Sequence, residues 1–320
     1  MQKIKACEVL RLDMFLAKHL GQSRSQVAQL IKSGGVKING EICDKSAAKL
    51  KINDEIELLE FAPQKPTAPY EINFDIEVLF EDEDLLVLNK PAGVVVHSAT
   101  SVKEATLVDW LLAKGYALSN LNGQIRAGLV HRLDKGTSGA MIVAKNNATH
   151  QFLSAQLLDK SMGRFYLALI NLPLKDDIII VEKPLIRSPK NRLKKIALKE
   201  HMKGARAAKS AFVNLLTQNG LNLIVAKLFT GRTHQIRAHL ESLNRHILGD
   251  ELYGYRGKKM QRVMLHSYFL YFIHPKSKEI CFVKAPFYDD FAMILNEFDK
   301  GEFDEKISLD YIKHCFNACV

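Results

Sequence analysis

The sequence predicts an α+β fold in two unequal parts. A small module of helix-turn-helix followed by a hairpin comes first, then a larger domain built on a mixed, largely antiparallel sheet flanked by helices. Three observations carry this. Apolar residues recur at helical spacing between Leu12 and Ile31, a proline-rich stretch follows at 63–70, and beyond it strand-like runs joined by tight turns outnumber helical ones. The expected boundaries are 1–62 for the module, 63–70 for the linker, 71–290 for the large domain and 291–320 for a tail.

Within the module, Leu12, Phe15, Leu16 and Leu20 mark one amphipathic helix, and Val27, Leu30 and Ile31 a second. Ser23 or Ser25 would cap the second helix and Gly34-Gly35 would end it. A short strand at 36–38, an Asn39-Gly40 hairpin turn and apolar alternation through Ile52, Ile56 and Leu58 complete the unit. Pro63, Pro66 and Pro69 then give a semi-stiff tether, so the module is expected to move relative to the larger domain.

The larger domain opens on residues 71–84, which hold seven acidic groups and no Lys or Arg. Such a face should turn away from a polyanion. Strands are expected at 85–89, 140–144, 164–170, 208–216, 221–229, 268–273 and 279–284, with Asn219-Gly220 as a tight hairpin turn. Helices are expected at 107–112 and 149–158. Between 183 and 209 stand ten Lys/Arg against one Glu, a basic loop between strands that is either a solvated charge run or a polyanion-binding arm. The tail mixes acidic and apolar residues and reads as a docked helix or a frayed end. No internal repeat is present.

Composition bounds the function. The chain has 320 residues, a formal charge of +10 and a pI near 9.2, which favours polyanions without naming one. Five cysteines (Cys7, Cys43, Cys281, Cys315, Cys319) show no CxxC or Cys/His ligand spacing, so reduced thiols in a cytoplasmic protein are expected, with no zinc. Asp13, Lys18 and His19 interrupt every early apolar run, against a signal peptide, and no run approaches a membrane span.

Two motifs carry chemistry. The first is Gly128-Leu129-Val130-His131-Arg132-Leu133-Asp134-Lys135-Gly136-Thr137-Ser138-Gly139. Strand-like Leu129-Val130 and Met141-Ile142-Val143 bracket its polar part, which places Asp134 on a loop at a sheet edge, either as a turn cap or as a catalytic carboxylate. The second is Thr230-Gly231-Arg232-Thr233-His234-Gln235-Ile236-Arg237. Thr233 reads as a helix N-cap, and His234 and Arg237 would share a face near an electropositive helix start. That face suits an anion, whether a phosphate or a carboxylate such as Asp134 that must stay ionised.

Taken in order, His131-Arg132-Leu133-Asp134 with Thr137-Ser138-Gly139, Arg164-Phe165-Tyr166-Leu167-Ala168, and Gly231-Arg232-Thr233-His234-Gln235-Ile236-Arg237 resemble the RluA-like family of pseudouridine synthases. Asn89-Lys90-Pro91, Leu248-Gly249-Asp250 with Tyr253-Gly254, and Lys284-Ala285-Pro286 support the likeness, over roughly residues 75–290. Gly136 stands where relatives often carry an acid, and Arg164 where many have lysine. The module, through Arg11-Leu12-Asp13, Ser23-Arg24-Ser25 and Gly34-Gly35-Val36-Lys37-Ile38-Asn39-Gly40, resembles the RNA-binding domain first recognised in ribosomal protein S-four. It has Asn53-Asp54 where relatives commonly show Gly-Asp.

The resemblance implies an isomerase that converts uridine to pseudouridine without cofactor or metal. Asp134 would be the catalytic carboxylate, Arg237 its ion-pair partner, and Tyr166 the residue against the uracil. Arg132 would fill the duplex as the target base flips out. Arg24, Lys32 and Lys37 in the module, Arg187, Lys190 and Arg192 in the basic loop, and Arg232 and His234 beside the site would bind RNA. The expected partner is ribosomal RNA, of the large subunit ahead of transfer RNA, with no DNA or membrane, and the expected state a monomer. Two rival classes remain. A catalytically silent RNA-binding protein leaves the three separated motifs without a purpose, and a metal-dependent nuclease would gather several carboxylates where these motifs show one.

Overall fold

The computed structural model describes residues 2–22, 24–59 and 70–317. Ser23, the tether prolines Pro63, Pro66 and Pro69, and Cys319 lie outside the described residues, as does the side chain of Ser25. The module folds as β1 (Gln2–Lys5), α1 (Leu12–Leu20), α2 (Arg24–Lys32), β2 (Val36–Ile38), β3 (Glu41–Ile42) and β4 (Glu55–Leu58). Its antiparallel sheet runs β1-β4-β2-β3. The helical stripes seen in sequence meet here: Leu12, Leu16, Val27, Leu30 and Ile31 close one core with Val36, Leu50 and Ile56. Asn39 and Gly40 both adopt positive φ, 50° and 86°, as a two-residue hairpin of this twist requires. Asn53 does the same at 75°, so an asparagine serves there in place of glycine. Strand β1 gave no sequence signal because it alternates with charges. Lys3 bonds Glu55 and lies within 2.8 Å of Glu57 on β4.

The large domain adds β5 (Glu77–Glu81), β6 (Leu85–Lys90), α3 (Leu107–Ala113), β7 (Ser138–Ala144), α4 (Asn147–Asp159), β8 (Gly163–Ile170), β9 (Ile178–Glu182), β10 (Leu185–Arg187), β11 (Lys195–Ala197), β12 (Lys209–Gln218), β13 (Leu221–Leu228), α5 (Gln235–Glu241), β14 (Leu265–Ile273) and β15 (Ile280–Lys284). Three helices finish the chain: α6 (Asp289–Leu295), α7 (Lys300–Lys306) and α8 (Leu309–Asn317). The sheet order is β5-β6-β7-β14-β8-β13-β12-β9, with β15 also on β14. Every pairing is antiparallel except β7 with β14, where Ser138 lies opposite His266.

Strands β6, β7 and β8 are buried along their whole length, because both faces of the sheet centre are covered. On one face Leu86, Leu88, Met141 and Val143 meet Leu107, Trp110 and Leu111 of α3. On the other, Leu85, Val87, Ala140 and Ile142 meet Leu153 of α4. Thr106 caps α3 with a reciprocal capping box to Asp109, and Asn146 caps α4 through Thr149.

Two expectations are corrected, and one left open between alternatives is decided. Leu129-Val130 is no strand: Leu129 makes only an isolated bridge to Val143. Of the two readings of the tail, the docked one holds through residue 317: Phe291, Phe298, Ile307, Ile312 and Phe316 bury into the main core, with the Phe316 ring stacked on Phe165 at 5.5 Å. The module is also seated on the larger domain, with Leu121 fully buried in the module's core, Asn120 Nδ2 donating to the Leu59 carbonyl and Gln29 packed over Gly123. No helix among the described residues is long and apolar enough to cross a membrane.

Candidate active site

The polar loop ahead of β7 projects Asp134 into a cavity of about 270 Å³ that Arg132, Tyr166, Arg232, His234 and Arg237 also line. The turn after Asp134 is closed by its backbone carbonyl, which accepts from Thr137 N at 3.1 Å. The carboxylate is therefore not consumed as a cap. Its Oδ2 instead faces Arg237 Nη1 at 3.5 Å and His234 Nε2 at 3.8 Å.

Arg237 and His234 arrive from the start of α5. The expected cap by Thr233 is not what starts this helix: His234 occupies the N-cap position in a left-handed conformation, φ 59°, with no side-chain cap. Gln235 does the organising. Its Oε1 accepts from Arg232 N at 3.0 Å and from Thr230 Oγ1 at 2.7 Å, which folds the loop so that positions 234 and 237 look at Asp134.

Arg237 has a closer partner that sequence reading missed. Its Nε and Nη2 bond both oxygens of Asp250 at 2.7 and 2.8 Å, in a bidentate pair whose side chains are 9% and 1% exposed. Burial opposes the charge, but the bonds to Asp250 outweigh it and hold Arg237 above its ordinary value. Tyr253, three residues on, stacks its ring under the guanidinium at 4.7 Å. Its hydroxyl meets His234 Nδ1 at 3.0 Å and accepts from Lys195 N at 2.8 Å. Burial lowers His234, with Asp134 opposing, and raises Tyr253. The Leu248-Gly249-Asp250 and Tyr253-Gly254 motifs were the available signal. Gly249 shows why one glycine is needed: at φ 80° a Cβ would sit 2.0 Å from the Arg262 carbonyl.

Tyr166 stands on β8, 4% exposed, and burial raises its hydroxyl above the usual range. Arg132 is exposed at the cavity mouth, where its Nη1 donates to His97 Nε2 at 2.9 Å. Arg232 donates from Nε to the Ala207 carbonyl at 3.1 Å. A second missed residue is Lys90, wholly buried, which donates to the carbonyls of Pro91, Val94 and Lys135 and so ties the Asp134 loop to the turn after β6. Burial pushes its amine down to about 7.

The remaining sequence candidates lie outside this cavity. Arg187, Lys190 and Arg192 are exposed on and beyond β10, in a two-stranded β10-β11 hairpin. The expected basic loop is thus a structured arm. It is anchored by Lys194, which pairs with Glu241 of α5 and lies over the Tyr253 ring at 5.0 Å. In the module, Lys32 is exposed, Lys37 half-buried, and Arg24 pairs with Asp13 at 2.9 Å.

The family model described as RNA pseudouridylate synthase matches residues 84–242, and the S4 domain model matches residues 10–56. An uncharacterised RNA pseudouridine synthase of Helicobacter pylori is 54% identical over 314 residues, covering 96% of either chain. The ribosomal large subunit pseudouridine synthase D of Zymomonas mobilis is 39% identical, over 83% of this chain and 87% of its own. Human RNA pseudouridylate synthase domain containing 1 shares the fold, with a TM-score of 0.54 and 23% identity over 67% of this chain and 84% of its own. The chain belongs to the RluA-like family of RNA pseudouridine synthases. It is accordingly an isomerase, and it carries an N-terminal S4 RNA-binding domain.

Proposed function

We propose that Asp134 is the catalytic carboxylate of this synthase, that Tyr166 holds the uracil and Arg237 keeps Asp134 ionised, and that the substrate is ribosomal RNA of the large subunit. The reaction breaks the N1–C1′ bond, turns the retained uracil and joins C5 to C1′, with the C5 proton leaving at the end. Atoms and electrons balance without a donor. One observation carries the reading: the Asp134 carboxylate lines the cavity that Tyr166 shares and is held there only loosely, with Arg237 Nη1 at 3.5 Å and His234 Nε2 at 3.8 Å from its Oδ2. A carboxylate so placed is available to an electron-poor C1′ as nucleophile or as electrostatic partner.

The exposed Arg132 beside the cavity is suited to take the place of a flipped base. Arg187, Lys190 and Arg192 on the arm, Arg232 at the cavity, and Arg24, Lys32 and Lys37 on the module supply positive charge along a phosphate track, with His234 at the cavity as a neutral hydrogen-bonding group. The large-subunit target is supported by the Zymomonas mobilis relative's name and by the S4 domain. Transfer RNA is the second reading. Mapping pseudouridine in ribosomal and transfer RNA from cells lacking the gene, complemented with wild type or Asp134→Asn, tests both. Sites in large-subunit RNA that only the wild type restores are expected. Restoration by Asp134→Asn overturns the catalytic assignment, and sites confined to transfer RNA overturn the target.

A further inference from the structure

Two buried hydrogen-bond donors in the cavity have nothing among the described residues to donate to. Arg164 lies on β8 two residues before Tyr166, so the pleat sends both side chains to one face, and both line the cavity. Arg164 is 7% exposed, and its Nε is sealed from solvent without an acceptor. Among the described residues no carboxylate stands within ion-pair distance of its guanidinium.

His131 is the second donor. The Ile142 backbone N–H donates to His131 Nε2 at 3.1 Å. A ring nitrogen that accepts carries no proton, so the neutral imidazole holds its proton on Nδ1. That Nδ1 is also buried and without a partner. Burial, and then the charge of Arg164, press the ring well below the usual histidine range, which keeps it neutral. A buried donor left unpaired is destabilising, and more so when charged. Two of them on one cavity wall define a place for an acceptor that the substrate brings.

We propose that Arg164, with His131 beside it, binds a carbonyl oxygen of the target uracil and stabilises the negative charge that the base acquires during the reaction. This rests on the synthase reading above, with uracil against Tyr166. When C1′–N1 breaks, the bonding pair stays with the base and spreads over N1, O2 and O4. The electron-poor C1′ is met by Asp134. Bond formation from C5 then returns the pair to C1′, and loss of the C5 proton restores the uracil ring. A guanidinium with no resident anion acts most strongly on charge that exists only part-way through the reaction. A backbone phosphate is the other anionic source. It fits less well, because phosphates follow the outside of the strand whereas Arg164 lies deep beside Tyr166.

The test uses the full-length protein, ribosomal and transfer RNA from cells lacking the gene, and the variants Arg164→Gln and Arg164→Lys. For Arg164→Gln the single-turnover rate at saturating RNA should fall about 100-fold, with RNA affinity within about twofold of wild type. Arg164→Lys should recover at least about tenfold of that loss, since it restores the charge. Two readouts need no activity: the Arg164→Gln melting temperature should not fall, because the charge removed had no partner, and nitrogen NMR of the free protein should find the His131 proton on Nδ1. An unchanged rate with weaker RNA binding and a salt slope reduced by about one would assign Arg164 to a phosphate instead. A lowered melting temperature, or a proton on Nε2, would overturn the unpaired-donor argument. Loss of activity at Asp134→Asn together with a normal rate at Arg164→Gln would sink this proposal and leave the synthase reading standing.

Discussion

Replacing Asp250, the buried partner of the cavity's Arg237, by alanine should be strongly destabilising. Both carboxylate oxygens bond Arg237, at 2.7 and 2.8 Å, and the group is 1% exposed. Removing one partner of a buried pair leaves an uncompensated charge, at a cost of roughly 3–5 kcal/mol. Asp134, 3.5 Å from Nη1, offers only a looser single contact in compensation. At roughly 2 °C per kcal/mol for a chain of this length, the melting temperature should drop by roughly 6–10 °C. Because the pair is shielded from solvent, the loss should persist in about 0.5 M salt, well above physiological screening. Activity should fall as well, since the guanidinium is then free to turn toward Asp134 and close over the oxygen that the sugar needs. Circular dichroism melts of Asp250→Ala, Arg237→Met and the double variant measure the coupling. The double variant should cost less than the sum of the two single ones. A single-variant shift under about 2 °C, a strictly additive cycle, or a loss that salt abolishes would show that the pair does not hold Arg237.

Three further outcomes are expected. Changing Arg187, Lys190 and Arg192 together to Gln should raise KM, leave kcat nearly unchanged and reduce the slope of log affinity against log salt by about two to three. Leu121→Ala, at a fully buried position, should cost about 2–5 kcal/mol, and hydrogen exchange should show the loss in α1 and α2 with β6 to β8 still protected. Acid should destabilise the chain through His150 and His266, both pushed by burial from 6.5 down to about 4. Between those values the unfolded chain binds protons that the folded chain refuses, so stability is full above pH 6.5 and declines as pH falls toward 4. Denaturant melts across that window should show the decline, and a flat profile would refute it.

How far the sequence could be read depends on the range of each interaction. Helices α1 to α4 and strands β6, β7, β8, β12 and β13 were legible because burial imposes a local period, and Asn219-Gly220 carries its turn in two residues, both at positive φ. Strand β5 was hidden by its acids, with Glu77 and Glu81 exposed on a sheet edge. The cavity was half legible. Asp134, Tyr166 and Arg237 stand out by motif, and the structure brings them together. The tighter partner of Arg237 could not be read, because Asp250 lies beyond a turn that nothing local fixes. The start of α5 misled for the same reason: Thr233 has the chemistry of a cap, but Gln235 reaches back to Thr230 and Arg232 and sets the entry. The arm's hairpin and the module's seat depend on contacts across the chain, Lys194 with Glu241 and Leu121 with α1 and α2.

The seat of Leu121 has a consequence for assembly. A side chain from residue 121 completes a hydrophobic core whose other members come from the first 58 residues, so the module's interior stays one large side chain short until the larger domain has formed its 118–124 segment. Synthesis from the N-terminus therefore delivers the RNA-binding unit before its last packing element. Its final consolidation waits for the catalytic half.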